Sequence, residues 1–123
     1  MRDLYNKVKG DNRDRVVLVK EDKCYKTYSD DTFILWHMLN YKIKDGMVRF
    51  ASNNLLELLI KLHIRNIPVV CVINDSEIVN YNVDGDSKYS ETLNGAKMFY
   101  ELENDPEVIK KLLRIKLGYD KRT

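Results

Sequence analysis

A mixed α/β fold, one mixed β-sheet flanked by helices, is what the sequence predicts, and three observations predict it. Residues 15–20 and 67–73 are short, β-branched apolar runs bounded by charges or turn residues, the pattern of buried strands. Leu55, Leu58, Leu59 and Leu62 recur at i, i+3, i+4 and i+7, the period of a helix with one buried face. Turn and helix-start signals separate these segments and give the order β-β-α-β-β-α-β followed by C-terminal helices.

The elements follow in chain order. Residues 1–14 are polar, with a short helix expected around Leu4, Tyr5 and Val8 that Gly10 and Asn12 end. Residues 15–20 and 24–28 form a hairpin across a tight turn at Glu21-Asp22-Lys23. Strand alternation sets Cys24, Lys26 and Tyr28 on one face and Tyr25 and Thr27 on the other. Ser29 followed by Asp30 and Asp31 reads as a helix N-terminus, where free N–H groups and the dipole favour a Ser cap and early acids. That helix runs over 30–39 and is apolar nearly all round, so it is expected to be largely buried. Residues 41–44 and 47–50 are expected to pair as strands across Asp45-Gly46, since both turn positions want a positive φ.

The leucine-rich helix starts near Ser52, ends near Arg65, and closes on Asn66 as a left-handed residue. Residues 67–73 make the most strand-like run, with Pro68 tolerated at its start, and 77–82 a further strand. A helix over 91–103 precedes Asn104-Asp105-Pro106-Glu107, where Pro sits at a first helical position, and a last helix stops at Gly118. With 123 residues the chain is the size of one domain. Residues 15–74 form the expected core, and 75–123 an added strand and helical segment.

Composition excludes several classes. Hydrophobic residues are 44% and charged residues 33%, the profile of a folded globule rather than a disordered tail. Lys plus Arg number 21 against 19 acids, a net charge of +2 that leaves room only for a local basic patch. No apolar run approaches the roughly 18 residues of a membrane span, and the N-terminus lacks the apolar stretch of a signal peptide. Two cysteines make no disulfide framework, so a reducing, cytoplasmic compartment is expected.

Residues 16–72 resemble the N-terminal mismatch-recognition domain of the MutS family of DNA mismatch repair proteins. That domain opens with an apolar strand and a segment reading roughly G-D-F-Y-E-x-F-x-D-D-A. An apolar helix, a variable hairpin, a leucine-rich helix and an apolar strand follow. Here Asp22-Lys-Cys-Tyr-Lys-Thr-Tyr-Ser-Asp-Asp-Thr32 aligns without a gap: Tyr25 and Tyr28 fall on the family's two aromatics and Asp30-Asp31 on its acids. The resemblance covers about half the chain and implies the family's fold. It does not imply mismatch reading. The family's Phe wedges beside the mispaired base in the minor groove and its Glu accepts a hydrogen bond there; Cys24 and Lys26 stand at those positions. Cys24 cannot stack, and an ammonium has no acceptor. Asp22 replaces the family's glycine, no Walker A loop is present, and the clamp and lever regions have no counterpart.

The candidate nucleic-acid contacts are Lys20, Lys23, Cys24 and Lys26 on the hairpin, with Arg15 beside them, and Lys110, Lys111 and Arg114 on the last helix. They form either a phosphate-contacting rim or a solvated edge whose lysines discourage strand pairing. Lys110, Lys111 and Arg114 fall at i, i+1 and i+4 on one helical face. Between 107 and 123 six cations stand against two acids. The apolar side, Ile109, Leu112, Leu113 and the Lys116 stem, docks on the sheet or on a second subunit. Tyr25 and Tyr28 are expected in the core rather than stacked on bases, and Asp30 and Asp31 at a helix start rather than in a metal site. Cys24, His37, His63 and Cys71 match no zinc spacing, and His37 and Cys71 are expected in the core. Glu21-x-Lys23 lacks the acidic partner of a metal-dependent nuclease, and Asp84-x-Asp86 is expected to be a turn. No cofactor is expected. The expected function is a non-catalytic module, of a kind carried on a mobile element or in a repair locus. It binds DNA weakly and non-specifically, or binds a DNA-processing protein. The alternative is a protein-interaction or assembly module that keeps the fold without DNA contact.

Overall fold

The computed structural model describes residues 2–117. β1 (Val16–Glu21) and β2 (Cys24–Tyr28) form the first hairpin, with Val19 opposite Lys26, Lys20 opposite Tyr25 and Glu21 opposite Cys24. Asp22 takes the left-handed conformation its two-residue turn needs, at φ 55°. β2 pairs antiparallel with β3 (Met47–Ala51). On its other side β1 pairs in parallel with β4 (Val69–Asn74), which pairs antiparallel with β5 (Glu77–Tyr81). The sheet is therefore mixed and five-stranded, in the order β3-β2-β1-β4-β5. β1 is central, and Val16, Val17, Leu18 and Val19 are all buried because both faces of this strand are covered.

One face packs Val16, Leu18, Tyr25, Val48, Phe50, Val69 and Cys71 against Ile34, Leu35, Leu58 and Leu62. Those four come from α2 (Asp30–Leu39) and α3 (Leu55–Ile64), the latter entered through a 3-10 turn at Ser52–Asn54. α4 (Tyr89–Asn104) lies on α2, with the Tyr100 ring edge-on to Phe33 and Trp36 at 5.0 and 5.1 Å. α5 (Pro106–Leu117) packs on α4. The opposite face packs Val17, Val19, Tyr28, Val70 and Val72 under Tyr5 and Val8 of α1 (Arg2–Lys9). An eight-residue helix is about 12 Å long, whereas five strands span about 19 Å. α1 therefore covers only part of that face: it packs on β1, β4 and the Tyr28 end of β2, and leaves Cys24 and Lys26 of β2 and Arg49 of β3 without a helix over them.

Three local expectations are corrected. Residues 41–44 do not form a strand: they meet β3 only at a Lys44–Met47 bridge. The Asp45-Gly46 turn is present, with φ of 54° and 70°. Upstream of it, however, the chain leaves α2 through left-handed Asn40 (φ 60°) and sends Tyr41 onto the Phe50 ring at 5.4 Å. Ile43 likewise packs on the core, so the segment follows the core rather than the β3 edge. Ser29 does not cap α2 through its side chain. Its backbone adopts φ 53°, ψ −135°, a strained conformation outside glycine, and its carbonyl receives the Thr32 amide and hydroxyl. The sharp turn drives Asp31 inward, to zero exposure. Third, α4 begins at Tyr89, two residues before the expected start. The expected stop at Gly118 and the cations Lys121 and Arg122 lie outside the described residues, as do the Leu112 and Lys116 side chains.

Candidate nucleic-acid interface

The uncovered part of the sheet carries the cations. Alternation along β2 sets Cys24, Lys26 and Tyr28 on the α1 side. α1 closes over Tyr28, whose ring meets Tyr5 edge-on at 5.3 Å, and stops there. Lys26 and Cys24 are left half-buried on the open face. The β2–β3 register then sets Arg49 directly opposite Lys26. Like charges at facing sheet positions repel each other. Two groups offset this here: Glu21 accepts a hydrogen bond from Lys26 at 2.9 Å, and the Cys24 sulfur lies against the Arg49 guanidinium. The Lys26 bond holds the Glu21 carboxyl below its ordinary range. Arg2 of α1 extends the row, its guanidinium 4.9 Å over the Tyr28 ring. Lys23 projects from the β1–β2 turn, exposed, while its carbonyl accepts the Ser52 amide at 2.8 Å.

The structure therefore brings Lys23, Cys24 and Lys26 together and adds Arg49 and Arg2, which sequence reasoning did not select. Their signal was present in part. Asp45-Gly46 fixes where β3 begins, and period-two alternation from Met47 sets Arg49 on the face opposite Val48 and Phe50. What was missing was the pairing of β3 with β2. Two expected members fall elsewhere. Lys20 pairs across from Tyr25 and so faces the other side of the sheet. Arg15 stands at the far end of β1, where it donates to Asn82 Oδ1 at 2.6 Å. Lys110, Lys111 and Arg114 do share one face and line a common surface hollow with Glu107, and Lys110 approaches Glu107 at 3.7 Å. Among the described residues no hydrogen bond or ion pair joins this trio to the hairpin cluster.

A second polar cluster is buried and was missed altogether. Asp31 Oδ2 accepts the Tyr5 hydroxyl at 2.7 Å and the Val17 amide at 3.0 Å. Oδ1 accepts Lys9 Nζ at 2.9 Å and the Tyr89 hydroxyl. Burial pushes this carboxyl above its ordinary range, and Lys9, Tyr89 and the Val17 amide pull it back. The two tyrosines are pushed up by burial and then by the adjacent carboxylate. No sequence signal distinguishes Asp31 from Asp30, which stays near the surface and pairs with Lys97 at 3.0 Å. The cluster joins α1, β1, α2 and α4 at one point.

The remaining candidates sort simply. Tyr25 and Tyr28 are buried, Tyr25 stacked on Phe50 at 5.7 Å. Cys71 is buried and its thiol is pushed up to about 12 by burial, so it is an unreactive core residue. His37 is not in the core as expected: it is exposed and stacks on Phe99 at 5.2 Å, because α4 covers the Phe33–Trp36 side of α2. Asp84 and Asp86 lie in an exposed loop around Gly85 at φ 80°. Among the described residues no three His, Cys, Asp or Glu side chains gather as a metal site, both cysteines are free, and no helix is long and apolar enough to cross a membrane. Scanned against protein-family models the chain matches none, and no curated protein is similar enough in sequence to count as a match.

Proposed function

We propose that the protein is a non-catalytic module that binds nucleic acid through the open β2–β3 face. Lys26, Arg49 and Lys23 contact phosphates, and Arg2 flanks them. The observation that carries this reading is the Lys26–Arg49 pair, two cations facing each other across neighbouring strands on a surface that no helix among the described residues covers. Such a pair is unfavourable for the isolated fold and becomes favourable once a polyanion lies across it. Among the described residues no exposed aromatic ring lies beside the cations, and the one acceptor there, Glu21, is held by Lys26, so binding tracks the backbone and carries little sequence or mismatch preference. The similarity to the MutS mismatch-recognition domain supports the same ligand class with its reading residues replaced. Free cysteines support a reducing, cytoplasmic setting.

Fluorescence anisotropy with labelled duplex, mismatched and single-stranded DNA at about 50 mM salt tests the reading, since electrostatic contact is strongest there. The expected result is binding of similar strength to matched and mismatched duplex, weakened at least tenfold in Lys26→Glu and Arg49→Glu. Absence of binding at that salt overturns it. A nuclease alternative requires Mg²⁺-dependent cleavage that Glu21→Gln abolishes; the expected result is no cleavage. A second reading, an assembly module, draws on a separate apolar surface on α3.

A further inference from the structure

The opposite edge of the sheet carries an exposed apolar surface. α3 buries Leu58 and Leu62, yet the same helix exposes Leu56, Ile60 and Ile64 at 69%, 51% and 73%. These three recur every fourth residue and form a stripe on the flank of α3 that faces β5. Between that flank and β5 lies a groove of about 540 Å³, with Leu59, Ile67, Val69 and Tyr81 also lining it. β5 itself is an edge strand. Edges left open are commonly guarded by Lys, Pro or a buried charge. β5 has none of these, only Glu77 at its start, and it exposes Ile78 and Tyr81.

We propose that this edge is the interface of a homodimer in which β5 pairs antiparallel with β5 of a second copy, extending the sheet to ten strands. The twofold axis stands perpendicular to the sheet, so both copies of α3 lie on the same side. β4 and its counterpart are then three strand spacings apart, about 14 Å. The two α3 helices, each about 10–12 Å across with its side chains, then flank the seam, and their Leu56, Ile60 and Ile64 stripes line it from both sides.

Charge favours a second copy as the occupant. On α3 itself Glu57 and Lys61 pair with each other at 3.1 Å, on the flank away from the groove, so the complementary charges of the seam are those of β5. Antiparallel packing opposes the dipoles of the two α3 helices. β5 carries Glu77 at one end and the Arg15–Asn82 pair at the other, so antiparallel pairing of two copies sets each acid beside the other's guanidinium. The surface is thus self-complementary under a twofold rotation, as an isologous interface requires. The hairpin cations are not part of it, so dimerisation and nucleic-acid binding fail independently.

Sedimentation equilibrium of the full chain over a micromolar to millimolar range tests the inference. The expected species at high concentration has twice the 14.5 kDa chain mass. Ile60→Glu on α3 and Tyr81→Lys on β5 are each expected to raise the dimer dissociation constant about a hundredfold, because each buries an unpaired charge. Both sites are exposed in the monomer, so an unchanged far-ultraviolet circular dichroism spectrum verifies the fold. A wild-type chain that stays monomeric throughout the range overturns the proposal, as does a dimer that neither substitution weakens.

Discussion

Asp31 is the residue on which most of the tertiary structure converges. Its carboxylate has zero exposure and receives Tyr5, Tyr89, Lys9 and the Val17 amide, so four elements share one anion. Breaking a buried ion pair leaves its partner uncompensated, a larger penalty than the pair's own net contribution. Asp31→Asn is therefore expected to cost about 3 kcal/mol in chemical denaturation. Its pH dependence has a definite sign. Burial raises the folded-state pKa above the ordinary 3.8. The titration of Asp31 thus contributes stability that is full below 3.8 and is lost as pH rises through the folded-state value. Thermal melts of both proteins across acid and neutral pH are expected to show the margin of wild type over Asp31→Asn narrowing as pH rises. Glu21 acts oppositely on the surface: it neutralises Lys26 in the free protein and must be repelled by a phosphate. Glu21→Gln is expected to tighten DNA binding by about two- to fivefold at neutral pH, the scale of one exposed ion pair.

Among the elements, α3 shows how far periodicity reaches. Its buried leucines were legible because i, i+3, i+4 and i+7 define one face. The exposed stripe on its flank was not, because Leu56, Ile60 and Ile64 merely widen the apolar arc and exposure depends on which strand the helix overlies. The distinction is measurable. Leu62→Ala is expected to cost about 2–5 kcal/mol by cavity formation, and Leu56→Ala less than about 0.5 kcal/mol in the monomer; urea titration at low protein concentration separates them. The Asp45-Gly46 turn was legible from two residues that tolerate positive φ. The strand expected before it was not formed, because Tyr41 and Ile43 gain more by packing on Phe50 and the core than the backbone gains from a further ladder. Ser29 misled for a related reason: Ser, Asp and Asp suit a capped helix start, and nothing local reveals that one of the acids turns inward.

At the scale of the molecule, the mixed sheet with helices on both faces was legible, since apolar runs and helical periods alternate along the chain. Strand order was the hidden quantity, and it decides the candidate site. Only when β3 lies beside β2 does Arg49 face Lys26, whereas Lys20 turns away because the hairpin turn takes two residues, Asp22 and Lys23, and so sets Lys20 opposite Tyr25. The short α1 reaches Tyr28 but leaves Lys26 and Arg49 uncovered, and nucleic-acid binding rests on that opening. The salt dependence of DNA affinity tests it most directly. Each phosphate contact adds about one unit to the slope of log affinity against log salt. A slope about two units shallower is expected in Lys26→Ala/Arg49→Ala than in wild type, with Lys20→Ala unchanged. Equal slopes in wild type and the double variant, or a loss caused by Lys20→Ala instead, would contradict it.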